Sequence, residues 1–164
     1  MPATAAPGTP PPATQSPAPT GAVADGWREL GSGMWLQEDP FAVAAAVDQP
    51  QFDELWDRLA QQPPTPAVDF ERELVLFLGM SGSSSCPERL VRLLVDEAAG
   101  RVHGDWAAQP PAQPCTDDLQ AQGVLLAVDR SLLPEGPFLF SLRDEPICPE
   151  CPDRPDQVVV EPAR

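Results

Sequence analysis

Lysine, tyrosine and asparagine are missing from this chain, and histidine and isoleucine occur once each. Each gap closes a route to function. A phosphate-binding loop of the Gly-Lys-Ser/Thr kind needs the lysine, whose charge meets the phosphates. An enzyme built on Ser-His-Asp or Cys-His would have to use His103, because no second imidazole exists to take the nucleophile's proton. There is no apolar run of 18 residues, so no segment is a candidate membrane-spanning helix. The first residues lack the basic and apolar stretches of a secretory leader. Basic charge is scarce too: ten arginines stand against 25 acidic residues, a formal charge of −15. Nucleic acid and anionic membrane surfaces call for a basic footprint, so neither is an expected direct partner. The missing residue types share AT-rich codons, so a GC-rich coding sequence accounts for the bias; an acidic, salt-adapted coat is the alternative.

What is abundant is proline, and it divides the chain. Residues 1–25 hold seven Pro, seven Ala and a single charged side chain, Asp25. Each proline removes a backbone donor, and no apolar periodicity offsets the cost of ordering. This stretch is expected to be a disordered linker of polyproline II character, reaching roughly 75 Å at about 3.1 Å per residue. Its Thr/Ser-Pro composition fits a stalk between a membrane anchor and a folded module, with an untethered tail as the alternative. Residues 26–164 are long enough for one domain with a real core. The stalk and the cysteines together lead to an expected extracytoplasmic location, secreted or lipid-anchored, with the targeting segment upstream of residue 1. Membrane association is expected only through that anchor.

Within the domain one helix is clear. Phe52, Leu55, Trp56 and Leu59 recur at helical spacing, with Asp53, Glu54, Asp57 and Arg58 on the other side. Asp48 or Gln49 caps its start, Pro50 suits the first turn, and Pro63-Pro64 stops it. The other segments read as strands. Residues 41–47 alternate, although Ala42, Ala44 and Ala46 also tolerate helix, and 74–78 form a continuous apolar run, as in a strand buried on both faces. Residues 90–95 and 101–106 flank a turn at 97–100 and predict a hairpin with Val102 and Trp106 inward. Residues 124–128 are a second central run. A turn at 134–137 feeds Phe138, Phe140 and Leu142, and 157–161 closes the series. Seven or eight strands without βαβ alternation predict an α+β, β-rich domain, mostly antiparallel and sandwich- or barrel-like, with one amphipathic helix.

Chemistry-bearing residues are few. Four cysteines allow three pairings, and the two near-sequence bonds, Cys86 with Cys115 and Cys148 with Cys151, are favoured together. A four-cysteine zinc site is the alternative, with Cys148 and Cys151 as one knuckle and Cys86 and Cys115 as a split second half. The Cys148-Pro-Glu-Cys151 motif is flanked by prolines that obstruct the helix a thioredoxin-like thiol requires. A flexible loop, Ser81, Gly82, Ser83, Ser84 and Ser85, follows the strongest strand and is a candidate partner-binding loop. It misses the Gly-x-Ser-x-Gly nucleophile pattern because Ser83 stands where the second glycine belongs. His103 shares a face with Arg101 and Asp105 and is expected to be solvent-exposed. Asp117 and Asp118 lack a calcium-loop frame and read as surface. No catalytic residue and no cofactor is expected.

The order of these elements resembles a known family. Trp27-Arg28-Glu29-Leu30 opens the domain, a short β segment leads to the Phe52/Leu55/Trp56 helix, and Pro66-Ala67-Val68-Asp69-Phe70 precedes the strand at 74–79 with its Gly/Ser loop. Two hairpin strands and the late strand at 124–128 follow. Across most of 27–130 this resembles the PrcB-type C-terminal domain, found in exported lipoproteins and in a subunit that stabilises a secreted protease complex. In place of that family's Pro-Thr-Gly-Gly-Tyr-like turn stands Ser81-Gly82-Ser83-Ser84-Ser85-Cys86-Pro87. The resemblance implies a β-rich, extracytoplasmic, non-enzymatic module and supplies no catalytic residue. The expected function is therefore an exported interaction or structural module that binds a protein partner, such as a protease or an envelope component. A hydrolase using carboxylates or a serine, and the zinc module, are the alternatives.

Overall fold

A computed structural model describes residues 22–24 (backbone), 26–35, 41–59, 65–108, 114–144 and 154–162. The elements run β1 (Ala22–Ala24), β2 (Trp27–Met34), β3 (Ala42–Ala46), α1 (Gln49–Asp57), β4 (Glu73–Gly82), β5 (Glu88–Asp96), β6 (Arg101–Ala108), β7 (Gln120–Asp129), β8 (Phe138–Ser141) and β9 (Gln157–Val160). The strands form two sheets, ordered β1-β5-β6-β8-β9 and β2-β7-β4-β3. Every pairing is antiparallel except β6 with β8. The β-rich, α+β architecture read from the sequence is the one observed.

The apolar run in β4 explains the layering. Leu74, Leu76, Leu78 and Met80 point between the two sheets and join a core with Leu93, Val95, Val102, Leu126, Val128, Phe138 and Phe140. Val75 and Phe77 point the other way, into a second core with Phe52, Leu55, Trp56, Trp35 and Leu125. Both faces of β4 are therefore covered, one by the five-stranded sheet and one by α1. That is why its sequence does not alternate. Full burial of each such Leu or Phe contributes about 1.5–3 kcal/mol relative to exposure.

Helix α1 begins where expected: the Asp48 side chain accepts a hydrogen bond from the Gln51 N–H at 3.0 Å, and Pro50 lies in the first turn. It ends earlier than its apolar spacing suggests. The N–H groups of Arg58 and Leu59 turn back three residues to the carbonyls of Leu55 and Trp56, and Leu59 bridges Trp35. Below the helix, Gly79 and Gly123 lie opposite each other in the β4/β7 register. The Phe77 ring occupies the space their side chains would fill: a Cβ at Gly123 would lie 2.5 Å from that ring. Trp35 stacks on Phe77 with centroids 4.0 Å apart.

Two elements depart from the sequence reading. Ala22–Ala24, inside the stretch assigned to the linker, is β1 and pairs with residues 93–95 of β5. A three-residue Ala-Val-Ala strand has no periodicity to read, and its pairing comes from β5. Strand β2 is long, although Gly31, Ser32 and Gly33 weaken its pattern, and it contains a bulge between Glu29 and Gly31. At one lateral boundary the Val43 N–H of one sheet donates to the Pro155 carbonyl beside β9 of the other at 2.7 Å, and the Leu142 N–H extends the β8/β9 ladder by donating to the Asp156 carbonyl at 2.9 Å. The opposite boundary, between β2 and the start of β5, carries the groove described next.

Candidate functional site

The bulge in β2 decides which of its side chains face the other sheet. Trp27 lies opposite Val128 and Glu29 opposite Leu126, both core-facing positions of β7. The extra residue at Leu30 then shifts the alternation by one, so that Ser32 and Met34, opposite Val124 and Gln122, face the same side as Trp27 and Glu29. Across from them, Leu90 and Trp106 are cross-strand neighbours on β5 and β6. Between these rows lies a groove of about 670 Å³ whose walls include Trp27, Met34, Leu78, Met80, Leu90 and Trp106. That volume is within the range of ordinary ligand sites. Trp106 is fixed in place: its Nε1–H donates to the Leu142 carbonyl at 2.8 Å, and the indole crosses Gly104, where a Cβ would lie 2.6 Å from Nε1. Met34 is 54% exposed at the mouth. Thioether side chains of this kind adapt to differently shaped apolar partners.

The rim is polar. Glu29 accepts from the Ser32 hydroxyl, and Glu88 pairs with Arg143. The candidate loop sits at one end of the groove, since Met80 before it and Pro87 after it both line the walls. Ser81 and Gly82 finish β4, opposite Ala121 and Gln120. The Ser83 hydroxyl is 3.1 Å from those of Ser85 and Thr116, the Thr116 N–H donates to Ser85 Oγ at 2.8 Å, and Thr116 also donates to Asp118. Hydrogen bonds from Ser84 and Thr116 hold the Asp118 carboxyl below the usual carboxylate range. A Cys86–Cys115 disulfide ties the same two segments together. The loop is thus pinned both covalently and by its own hydroxyls.

His103 differs from expectation. It is 2% exposed, not solvated. The period-two reading placed it correctly on the face away from Val102 and Trp106, but that face is covered as well. Its neighbours across the strands, Leu94 and Ser141, are 2% and 6% exposed. Neither Nδ1 nor Nε2 has a hydrogen-bond partner. Burial pushes the imidazole pKa below its ordinary 6.5, and the nearby Asp144 carboxylate opposes that shift. A small cleft of about 140 Å³ adjoins it, lined by Asp105, Arg143 and Asp144 among others.

These positions bear on the alternatives. Ser83 is bonded to loop hydroxyls and His103 to nothing, so the two are not joined in a serine–histidine pair. A bond between Cys86 and Cys115 uses two of the four thiolates that the zinc arrangement needs. Cys148 and Cys151 lie outside the described residues. Among those described, no three His, Cys, Asp or Glu side chains are grouped to hold a metal. The sequence reading did not single out the groove. Its lining side chains come from five separate strands, and only the packing of the sheets shows that they converge. Searches of family models, curated proteins and solved structures return no match to the chain.

Proposed function

We propose that this domain is an extracytoplasmic binding module that engages a protein partner through the groove between its sheets, with the Ser81–Ser85 loop as one rim. The observation that carries the reading is an aromatic- and methionine-lined groove beside a pinned loop. Trp and Met are enriched where proteins bind one another, and a preformed wall lowers the ordering cost of binding. The strong negative charge supports a partner with a basic or mixed surface, because the field of the whole domain raises its encounter rate. The disulfide supports an oxidising compartment, where such bonds persist. Loop hydroxyls that satisfy one another support a recognition role over a nucleophilic one.

A photo-crosslinking residue tests the site when placed at Met34 in the groove mouth or at Val159, which is 62% exposed on β9 at the opposite edge of the five-stranded sheet. In the source cells, position 34 is expected to give a discrete protein adduct that position 159 does not. Equal adducts at both positions, or only a lipid or small-molecule adduct at 34, would overturn the proposal. Thiol trapping of freshly quenched cells tests the compartment, with Cys86 and Cys115 expected to be oxidised.

A further inference from the structure

The five-stranded sheet has an incomplete edge. β5 pairs with β6 along its length on one side, but on the other side β1 covers only residues 93–95. Among the described residues, nothing pairs with the free side of 88–92. This open stretch borders the groove, because Pro87, Glu88, Arg89 and Leu90 all line it. Val91, where the β5/β6 register shifts, is 53% exposed. After Ala24, opposite Leu93, the chain crosses to the other sheet and starts β2 at Trp27. Backbone donors and acceptors along 88–92 are thus left beside an apolar cleft.

We infer that the groove's occupant is a short extended segment of another polypeptide, added as a strand along residues 88–92 of β5. The inference rests on the binding role proposed above and specifies its mode. An added strand continues the line that β1 begins, its backbone bonds to β5, and its alternate side chains enter the groove between Trp27, Met34 and Trp106. Charge selects the segment's chemistry. The chain carries −15, and Glu29 and Glu88 lie on the rim, so basic residues at the positions between the apolar ones are favoured. A second copy of this acidic chain is disfavoured by the same charge. A direct continuation of β1 toward its N-terminus would run past Val95, the end of β5 away from the groove.

The test uses the full oxidised chain and a displayed library of linear twelve-residue segments with no imposed pattern. Enriched segments are expected to alternate apolar residues with Arg or Lys. At least tenfold weaker binding is expected to Met34→Asp, and binding should weaken with salt. Amide hydrogen exchange provides a readout that needs no substitution: an enriched peptide should slow exchange within residues 88–92 at least tenfold. Peptides that bind the groove and are lost in Met34→Asp, yet lack alternation and leave those amides unprotected, overturn strand addition while leaving the groove as a binding site. If no segment is enriched, or the enriched ones ignore Met34→Asp, the mode is overturned; position-specific crosslinking at residue 34 then decides separately whether the groove binds protein at all.

Discussion

The two lateral boundaries of this sandwich are built in opposite ways. On the β3/β9 side, the Val43 N–H reaches the Pro155 carbonyl across the sheets, the Leu142–Asp156 bond extends the β8/β9 ladder, and Phe138, Phe140 and Val160 fill the space behind them without appreciable exposure. On the β2/β5 side the core residues give way to Trp27, Met34, Leu90 and Trp106, which line an open groove. One boundary is finished with apolar side chains and satisfied backbone groups. The other keeps large apolar side chains half in solvent and, among the described residues, part of a strand edge unpaired. A chain that can seal one boundary so completely has the means to seal both, and this contrast is why the open side is read as a site.

The contrast predicts unequal responses to truncation. Phe77 is fully buried beneath α1, stacked by Trp35 and laid across two glycines, so Phe77→Ala leaves a cavity that neighbours cannot fill. It is expected to cost about 3–5 kcal/mol in urea unfolding. Met34→Ala at the groove mouth, where water already reaches the side chain, should cost less than about 1 kcal/mol. Similar losses at the two positions would mean that the groove is simply part of the core.

The disulfide comes next in size. Cys86 and Cys115 are 29 residues apart, and in the chain-entropy view a closed loop of that length stabilises by about 3–4 kcal/mol. The double substitution Cys86→Ser with Cys115→Ser should lower stability by roughly that amount, and reduction of the wild type should match it. The bond lies at the open end, so its loss should also loosen the Ser81–Ser85 loop, measured as faster amide exchange there, while β8 and β9 stay protected. On the helix-covered side, Asp48→Ala removes the side-chain acceptor for the Gln51 N–H and should cost about 1 kcal/mol, with no change at the groove.

Much of the sealed part was legible in the sequence, because its elements are strongly patterned. The run at 74–78, the helical spacing of Phe52, Leu55 and Trp56, and the turn before Arg101 each correspond to an element close to its expected place. The open part was harder to read for physical reasons. Strand β2 is interrupted by glycines and reset by a bulge, so neither Glu29 nor Met34 announces which way it faces. Strand β1 exists only through its pairing. The loop from Ser81 to Cys86 was legible, and so was its covalent tie to Cys115, but its position at the end of a groove depends on the chain crossing from one sheet to the other. His103 shows the same limit: alternation fixes the face of a strand, and only tertiary packing decides whether that face is wet.

His103 supplies the smallest effect and tests whether the two sides behave independently. Its folded pKa lies below the ordinary 6.5 because burial disfavours the charged ring. As pH falls below about 6.5, the unfolded chain therefore binds a proton that the folded chain resists. Stability should decline across that window until the folded value is passed, and stay level above it. The charges facing the ring limit the drop: Asp144 and Asp105 favour the imidazolium, as Asp96 does more weakly, while Arg101 opposes it. Asp105 and Asp144 are themselves engaged by Arg92 and Arg101. Glu73, bonded by Arg28, and Asp129, bonded by Ser131, have lowered pKa values, so their contributions are lost only at lower pH, below the ordinary 4.5 and 3.8. Urea unfolding of wild type and His103→Gln at pH 8, 7, 6 and 5 should show the two curves parallel at high pH and the wild type falling faster below 6.5. Amide exchange at pH 5 should rise first in β6, which carries the ring, and in β8 and the Leu94 end of β5, which flank it, and leave residues 88–92 unchanged. If the groove edge loosened together with β8, the open and sealed sides would be one cooperative unit, and the division drawn between them would fail.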